Sequence, residues 1–370
     1  MKSRFVGLLI CCFIILASML IACAPVPSPE AKPAAAAVTA EKPAAKSILT
    51  PSDADDALHE TAGTIYEWWY WDATFDNGYS MSASWGINDP SFSDKKETPG
   101  YIEFSIYDPS GKKTNAAVPF AAKDITASKT SCDVTMGTNH LRGSVPRYDM
   151  EFRDKDLGCK LTFESVVTEG FRKPPDGVSY FTRQPDRWIG WVVVQPRAKV
   201  TGTLILNGKE IPVTGVGYHD HNWGNIALTE MYDHWYWGRI FLPDYTIIYS
   251  IGQMNEALGK KPSSVLLAYK GEKLVALTTD ATAVGSDFML DKLTGAQYPQ
   301  ALVIQANGQL IKGTITHKLN HLVEALLLWG AEEGKGHAYF RFLSDCDIKL
   351  DLPGDKIDTK ASVLHEYLIP

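Results

Sequence analysis

"TIYEWWYWDATFDNGYSMSASWG", residues 64–86, packs three tryptophans and two tyrosines into the six positions from Tyr66 to Trp71. A second stretch, "EMYDHWYWGRIFLPDYTIIYSIG" (residues 230–252), repeats it at an offset of 166. From Tyr66 to Gly86 the two share eight identities in 21 positions without a gap, including Trp69 with Trp235, Tyr70 with Tyr236 and Trp71 with Trp237. Self-similarity of this kind marks a duplicated unit. The expected architecture is therefore two domains of like fold, each opening on the same aromatic strand. Trp69, Trp71, Trp235 and Trp237 occur at the same place in both copies and are read as packing residues. A site is expected where the copies diverge. Trp68 aligns with His234 and Glu67 with Asp233, and these four are candidate substrate-binding residues.

Working outward, period-two runs bounded by turn residues dominate the rest of the chain. "YIEFSIYDPSGKK" (101–113) alternates Ile102, Phe104 and Ile106 before a turn, and "GTLILNGKEIPVTGVGY" (202–218) reads as a hairpin about Asn207-Gly208. "YTIIYSIG", "SSVLLAYKGEKLVALTT", "ALVIQANGQLIKGTITH" and "GHAYFRFLS" extend the pattern through the second copy. Short strands without alternating long helices exclude a parallel α/β sheet and predict an all-β protein. Each copy has the length of an eight-stranded up-and-down barrel of lipocalin size. One segment departs from this: "HKLNHLVEALLLWG" (317–330) reads as a helix, with His317 and His321 on one surface or rim face.

The first 22 residues read as a processing signal, with basic "MKSR", an apolar run and "LIAC" ending at Cys23. That ending resembles a bacterial lipobox and predicts a lipidated Cys23, a membrane-anchored extracytoplasmic lipoprotein, and a Pro/Ala-rich tether over 23–55. The tandem domains then occupy 56–229 and 230–370. Of six cysteines, Cys132, Cys159 and Cys346 remain in a disulfide-permissive compartment, and Cys132 with Cys159, both in one copy, is the expected bridge. The formal net charge of −7 offers no basic face for phosphates, so no nucleic-acid partner is expected. Nothing in the residues fixes an oligomeric state.

The densest run of proton-handling groups is "VTGVGYHDHNWG" (213–224). On an extended segment Tyr218, Asp220 and Asn222 face one side and His219, His221 and Trp223 the other. His219 and His221 could hold a metal only with a third ligand such as Asp233 or His234, so no metal site is expected. Glu67 and Asp220 are either paired carboxylates with separated pKa values or acceptors for backbone donors. Nucleophile-elbow and phosphate-loop motifs are absent from the sequence.

"YEWWYWDA", "QPRAKVTGTLILNGKEIPVTGVGYHDHNWG" and "WYWGR" together resemble the carotenoid 1,2-hydratase (hydroxyneurosporene synthase) superfamily. That superfamily also holds AttH-like proteins and lipocalin-type Diels–Alderases. The resemblance implies two tandem lipocalin-like (calycin) β-barrel or sandwich domains, no redox cofactor, and a small apolar ligand bound at or between them. It assigns acid chemistry to Asp220 and Tyr218, and its upstream tryptophan matches Trp191, a further candidate substrate-binding residue. A histidine is expected two residues before that tryptophan, and Ile189 stands there instead, which sets this chain apart from true carotenoid hydration. Three functions follow: a hydratase acting by acid catalysis on an isoprenoid C=C bond, a pericyclic-type cyclase, or a non-catalytic lipid carrier.

Overall fold

The computed structural model describes residues 49–59, 63–88, 97–328 and 332–370. The expected signal segment, Cys23 and most of the tether lie outside the described residues. The first sheet contains β1 (Tyr66–Phe75), β2 (Ser80–Ile87), β3 (Gly100–Tyr107), β4 (Lys113–Phe120), β5 (Ile125–Ala127), β6 (Cys132–Met136) and β7 (Asn139–Ser144). It continues with β8 (Arg147–Asp154), β9 (Leu157–Ser165), β10 (Phe171–Arg172), β11 (Val178–Phe181), β12 (Gln184–Leu206) and β13 (Lys209–Gly224). A short helix, α1 (Leu228–Met231), precedes the second sheet. That sheet contains β14 (Tyr232–Phe241), β15 (Tyr245–Met254), β16 (Pro262–Lys270), β17 (Lys273–Thr278), β18 (Ala281–Leu290), β19 (Gln297–Asn307), β20 (Lys312–Leu327), β21 (Ala338–Leu352) and β22 (Asp355–Ile369).

The strand order is β4-β3-β2-β1-β13-β12-β9-β8-β7-β6-β5 in the first sheet, and β17-β16-β15-β14-β22-β21-β20-β19-β18 in the second. In both, the opening strand pairs antiparallel with the closing one, β1 with β13 and β14 with β22. Residues 66–86 and 232–252 thus stand at the same place in their sheets. Each sheet curls around a core of its own, and β18 returns against β15 and β16, nearly closing the second. The turn expected at Asn207-Gly208 is present, both residues having positive φ (53° and 72°), as a two-residue hairpin loop requires.

A third apolar cluster joins the barrels. Val167, Phe171, Val193 and Tyr218 of the first meet Trp237, Ile248, Leu267 and Tyr269 of the second. Here the repeated motif behaves unexpectedly. Trp69 and Trp71 are wholly buried inside the first barrel, whereas Trp237 and the half-buried Trp235 belong to the layer between barrels. The cause is a turn shortened by one residue. Phe75 N–H closes the β1–β2 turn on the Tyr79 carbonyl, but Leu242 N–H closes the β14–β15 turn on that of Tyr245. A shift of one residue sends each side chain to the opposite face of a strand. A bulge at Asp233 restores the phase, since Tyr232 pairs with Met254 and His234 with Gln253. The spatial counterpart of Trp68 is therefore Trp235, that of Tyr70 is Trp237 and that of Asp72 is Arg239. Gly238 takes the place of Trp71, and a Cβ there would collide with the Tyr249 hydroxyl.

Three sequence expectations need correction. Cys132 and Cys159 are free, buried thiols. They lie on β6 and β9 with β7 and β8 between them, and strands spaced about 4.8 Å apart put two such positions beyond disulfide reach. Second, the segment from His317 to Leu327 is part of β20, not a helix. Register shifts at Leu319/His321 and Leu322/Glu324 change which residues face inward. Leu319, Leu322 and Ala325 then pack on the core at a spacing of three that imitates a helix. His317 is buried rather than at the rim, and only His321 is exposed. Third, the described end of the expected tether is packed: Asp55 is buried and accepts two hydrogen bonds from Arg172.

Candidate functional site

The alternation along β13 places its residues on two faces with different chemistry. On the outer face, toward the second barrel, the Asp220 carboxyl is 5% exposed. Its Oδ2 accepts from the Tyr218 hydroxyl at 2.8 Å and the Trp191 indole N–H at 2.9 Å, and its Oδ1 from the Asn222 amide at 2.9 Å. Burial disfavours the carboxylate, the three donors only partly offset this, and the pKa is raised to about 6. The strand opposite supplies Trp68 as partner of Asn222 and Tyr70 as partner of Asp220. Trp237 closes the cluster from the second barrel, with ring centroids 5.2 Å from Tyr218 and 6.0 Å from Tyr70. Tyr66 stacks on Trp68 along the same face.

The inner face is a separate assembly. Nδ1 of His219 donates to the Tyr70 carbonyl at 2.9 Å and Nδ1 of His221 to the Asp55 carbonyl at 3.1 Å, so backbone acceptors fix both rings. Trp71 stacks on His219 and Trp69 on His221. Buried Asp56 accepts from the Tyr148 hydroxyl at 2.8 Å and lies 3.2 Å from His219 Nε2. Glu67 also points inward, 2.9 Å from His221 Nε2. Burial opposes its ionisation, but the imidazoles of His221 and His59 outweigh it and hold the carboxyl below the ordinary range.

Glu67 and Asp220 therefore occupy opposite faces and form no pair. Trp223, on the histidine side of β13 as alternation predicts, stacks on His59 inside the barrel. Both histidines lie near Asp56, 3.2 Å from His219 Nε2 and 3.7 Å from His221 Nδ1, and the further group near His221 is Glu67 rather than Asp233 or His234. Donor atoms of His59, Glu67 and His221 lie within 4.8 Å of one another. The backbone N–H of His59 reaches both Glu67 oxygens, at 2.9 and 3.1 Å, so protein contacts already account for this cluster. Asp233 and His234 hydrogen-bond each other at 2.8 Å on the bulged, partly exposed start of β14, with His234 against Tyr236 and Tyr367. They are not part of the Asp220 cluster.

Several groups were not foreseen. Asp72 and Arg239 form a buried ion pair between the barrels, Arg239 Nε donating to the two carboxylate oxygens at 2.7 and 2.9 Å. Arg341 and Glu366, on neighbouring strands of the second sheet, form a second buried ion pair at 3.0 Å. The sequence did carry a signal for the latter, because His365-Glu366 near the end of the second copy echoes His219-Asp220 near the end of the first.

The family model for AttH-like proteins matches residues 46–323. This chain belongs to the AttH-like family. It is 25% identical over 298 residues to a hydroxyneurosporene dehydrogenase of Chlorobaculum tepidum, covering 70% of this chain and 75% of that one. A quinolone epoxide rearrangement protein, penF of Penicillium thymicola, is 30% identical over 145 residues, 38% of each chain. AttH-like folds recur among solved structures. A putative AttH from Nitrosomonas europaea superposes with a TM-score of 0.62 at 15% identity, covering 85% of this chain and 97% of the other. Kievitone hydratase from Nectria haematococca gives 0.59 at 13% identity, covering 87% and 94%. CghA gives 0.63 at 12% identity, covering 89% and 95%. At these identities the structures establish a shared fold.

Proposed function

We propose that this AttH-like protein is an acid catalyst acting on a C=C bond of an isoprenoid or polyene, as a hydratase or a cyclase. The observation that carries the reading is the Asp220 carboxyl, buried under aromatic rings yet supplied with three donors. Such a group is neutral at mildly acidic pH, and its conjugate base is stabilised as soon as the proton leaves. Oδ2 already accepts two hydrogen bonds and Oδ1 one, so Oδ1 is the oxygen free to carry the transferable proton. Protonation of the alkene forms a C–H bond and leaves a carbocation, which the faces of Trp68, Tyr70 and Trp237 stabilise. Water adds to the cation and returns a proton to Asp220, or an internal π bond captures it to close a ring with loss of a proton. The name of a relative, a hydroxyneurosporene dehydrogenase, supports a substrate of the carotenoid type.

Asp220→Asn preserves shape and hydrogen bonding but removes the proton. With acyclic isoprenoids as substrates, turnover should fall at least a hundredfold, about the lower end of a positioned acid's contribution. Product mass separates the two outcomes, since hydration adds the elements of water and ring closure does not, while label from heavy water on carbon in either product marks protonation of the alkene. Equal turnover by the variant and the wild type would show that Asp220 is not the acid.

A further inference from the structure

Strand register gives Asp220 a counterpart in the second barrel. The row through Asp220 runs Val193, Asp220, Tyr70, Ser84 across β12, β13, β1 and β2. The matching row runs Arg341, Glu366, Trp237, Ser250 across β21, β22, β14 and β15. Two residues along on the same face, Trp191, which donates to Asp220, corresponds to Tyr339, whose hydroxyl hydrogen-bonds Glu366. The acid position is thus occupied twice, but its neighbour differs. Beside Asp220 stands apolar Val193, and beside Glu366 stands Arg341.

Arg341 is 5% exposed. One terminal nitrogen donates to Ser82 Oγ at 3.1 Å and to the Tyr107 hydroxyl at 3.2 Å. The other is shared among Tyr339 (2.8 Å), Glu366 (3.0 Å) and Tyr70 (3.3 Å), three acceptors for two hydrogens. Nε has no partner among the described residues. A buried guanidinium with an unfilled Nε beside an overcommitted terminal nitrogen offers the edge that a carboxylate or enolate engages with two parallel hydrogen bonds. An incoming oxygen there would replace the long contact to Tyr70. Tyr70 is also the residue directly opposite Asp220, so this edge and the acid are one tyrosine side chain apart.

We propose that Arg341, braced by Glu366 and Tyr339, anchors an anionic or strongly accepting oxygen of the substrate. The substrate is then an oxygenated isoprenoid, with a carboxylate, enolate or carbonyl at one end, rather than a hydrocarbon polyene. This rests on the reading of Asp220 as the acid for the other end of the molecule.

The test is a titration of tryptophan fluorescence with a matched pair of probes, farnesoic acid and farnesene. Wild type should bind the acid at least tenfold more tightly. Arg341→Met alone strands Glu366, so the variant is Arg341→Met with Glu366→Gln, its fold checked by circular dichroism. It should bind both probes within twofold of each other, with farnesene affinity unchanged. Arg341→Lys, which keeps the charge and loses the planar fork, should weaken the acid at least fivefold and leave farnesene alone, and it decides the matter if the double variant does not fold. Equal binding of the two probes by wild type overturns the proposal. So does a preference that survives in the folded double variant or, failing that variant, in Arg341→Lys. Asp220→Asn should keep the preference while losing turnover, so failure of the catalytic reading and failure of the anchor give different results.

Discussion

Asp220 and Glu67 lie on paired strands, and what each faces moves its proton affinity in opposite directions. Glu67 looks into the first barrel at two imidazoles, while Asp220 looks outward at rings and neutral donors. With its pKa raised to about 6, Asp220 should give kcat/KM an acid limb that falls as pH rises through about 6. The same carboxyl affects stability. Its folded value lies above its unfolded one, so its favourable contribution is complete below pH about 4 and lost as pH rises through about 6. Asp220→Asn should therefore flatten the stability profile across that window. Chemical unfolding at pH 4, 5, 6 and 7 checks this, and an unchanged slope would mean that the group is not perturbed. At this scale much was legible: alternation alone put Tyr218, Asp220 and Asn222 together and away from the histidines. Glu67 shares the parity of the packing residues Trp69 and Trp71, so alternation already puts it on the inner face, where it accepts from a backbone N–H. What one strand's sequence does not contain is that His59 and His221 meet it there.

The aromatic strands show both the reach and the limit of repeat matching. The letters of "WYW" align without a gap, and they do mark equivalent strands. A shortened turn and a bulge nevertheless exchange inside and outside between the copies, so identical letters serve different layers. A gapless alignment cannot show two compensating changes. The segment at 317–330 was misread for a related reason, since bulges in β20 convert a period of two into an apparent period near three. The slip also places Asp72 opposite Arg239, each almost fully buried. Removing one partner leaves an unpaired buried charge, so Asp72→Asn or Arg239→Met should each cost about 3–5 kcal/mol. Asp72→Leu combined with Arg239→Met should recover most of that loss. Denaturant midpoints of the single and double variants measure the coupling, and single losses under about 1 kcal/mol would show that the pair carries little of the interface.

Across the whole molecule, the two barrels share a topology but bury different chemistry. Inside the first, histidines face Asp56 and Glu67. Inside the second, His317 and His365 face each other with ring centroids 4.4 Å apart, bonded to Tyr249 and Ser344. Burial lowers both, His317 to about 3 and His365 well below its ordinary value, the latter aided by the neighbouring ring. A depressed folded value means stability that is present above pH about 6.5 and lost as pH falls toward about 3. The second barrel should open first on acidification, and hydrogen exchange at pH 4.5 should show β20–β22 losing protection before β8–β9. Equal loss in both barrels would contradict this. The fold class and family were legible because barrels write a period of two along the whole chain. The layer between barrels was not, because Asp72 meets Arg239 from 167 positions away, and Arg341, though paired with nearby Glu366, also reaches Ser82 and Tyr70 from 259 and 271 positions away.

The Asp72–Arg239 pair says something about ancestry and design. These residues are each other's counterparts, so they meet where a two-fold axis relating the barrels would pass. In a dimer of identical chains such an axis confronts every residue with its own copy. Aspartate would meet aspartate, or arginine would meet arginine, and neither contact could be buried cheaply. Opposite charges at that point are open only to a gene that joined its two halves and then let them diverge. A chain rebuilt from two first barrels would inherit the repulsion, however well each half folded.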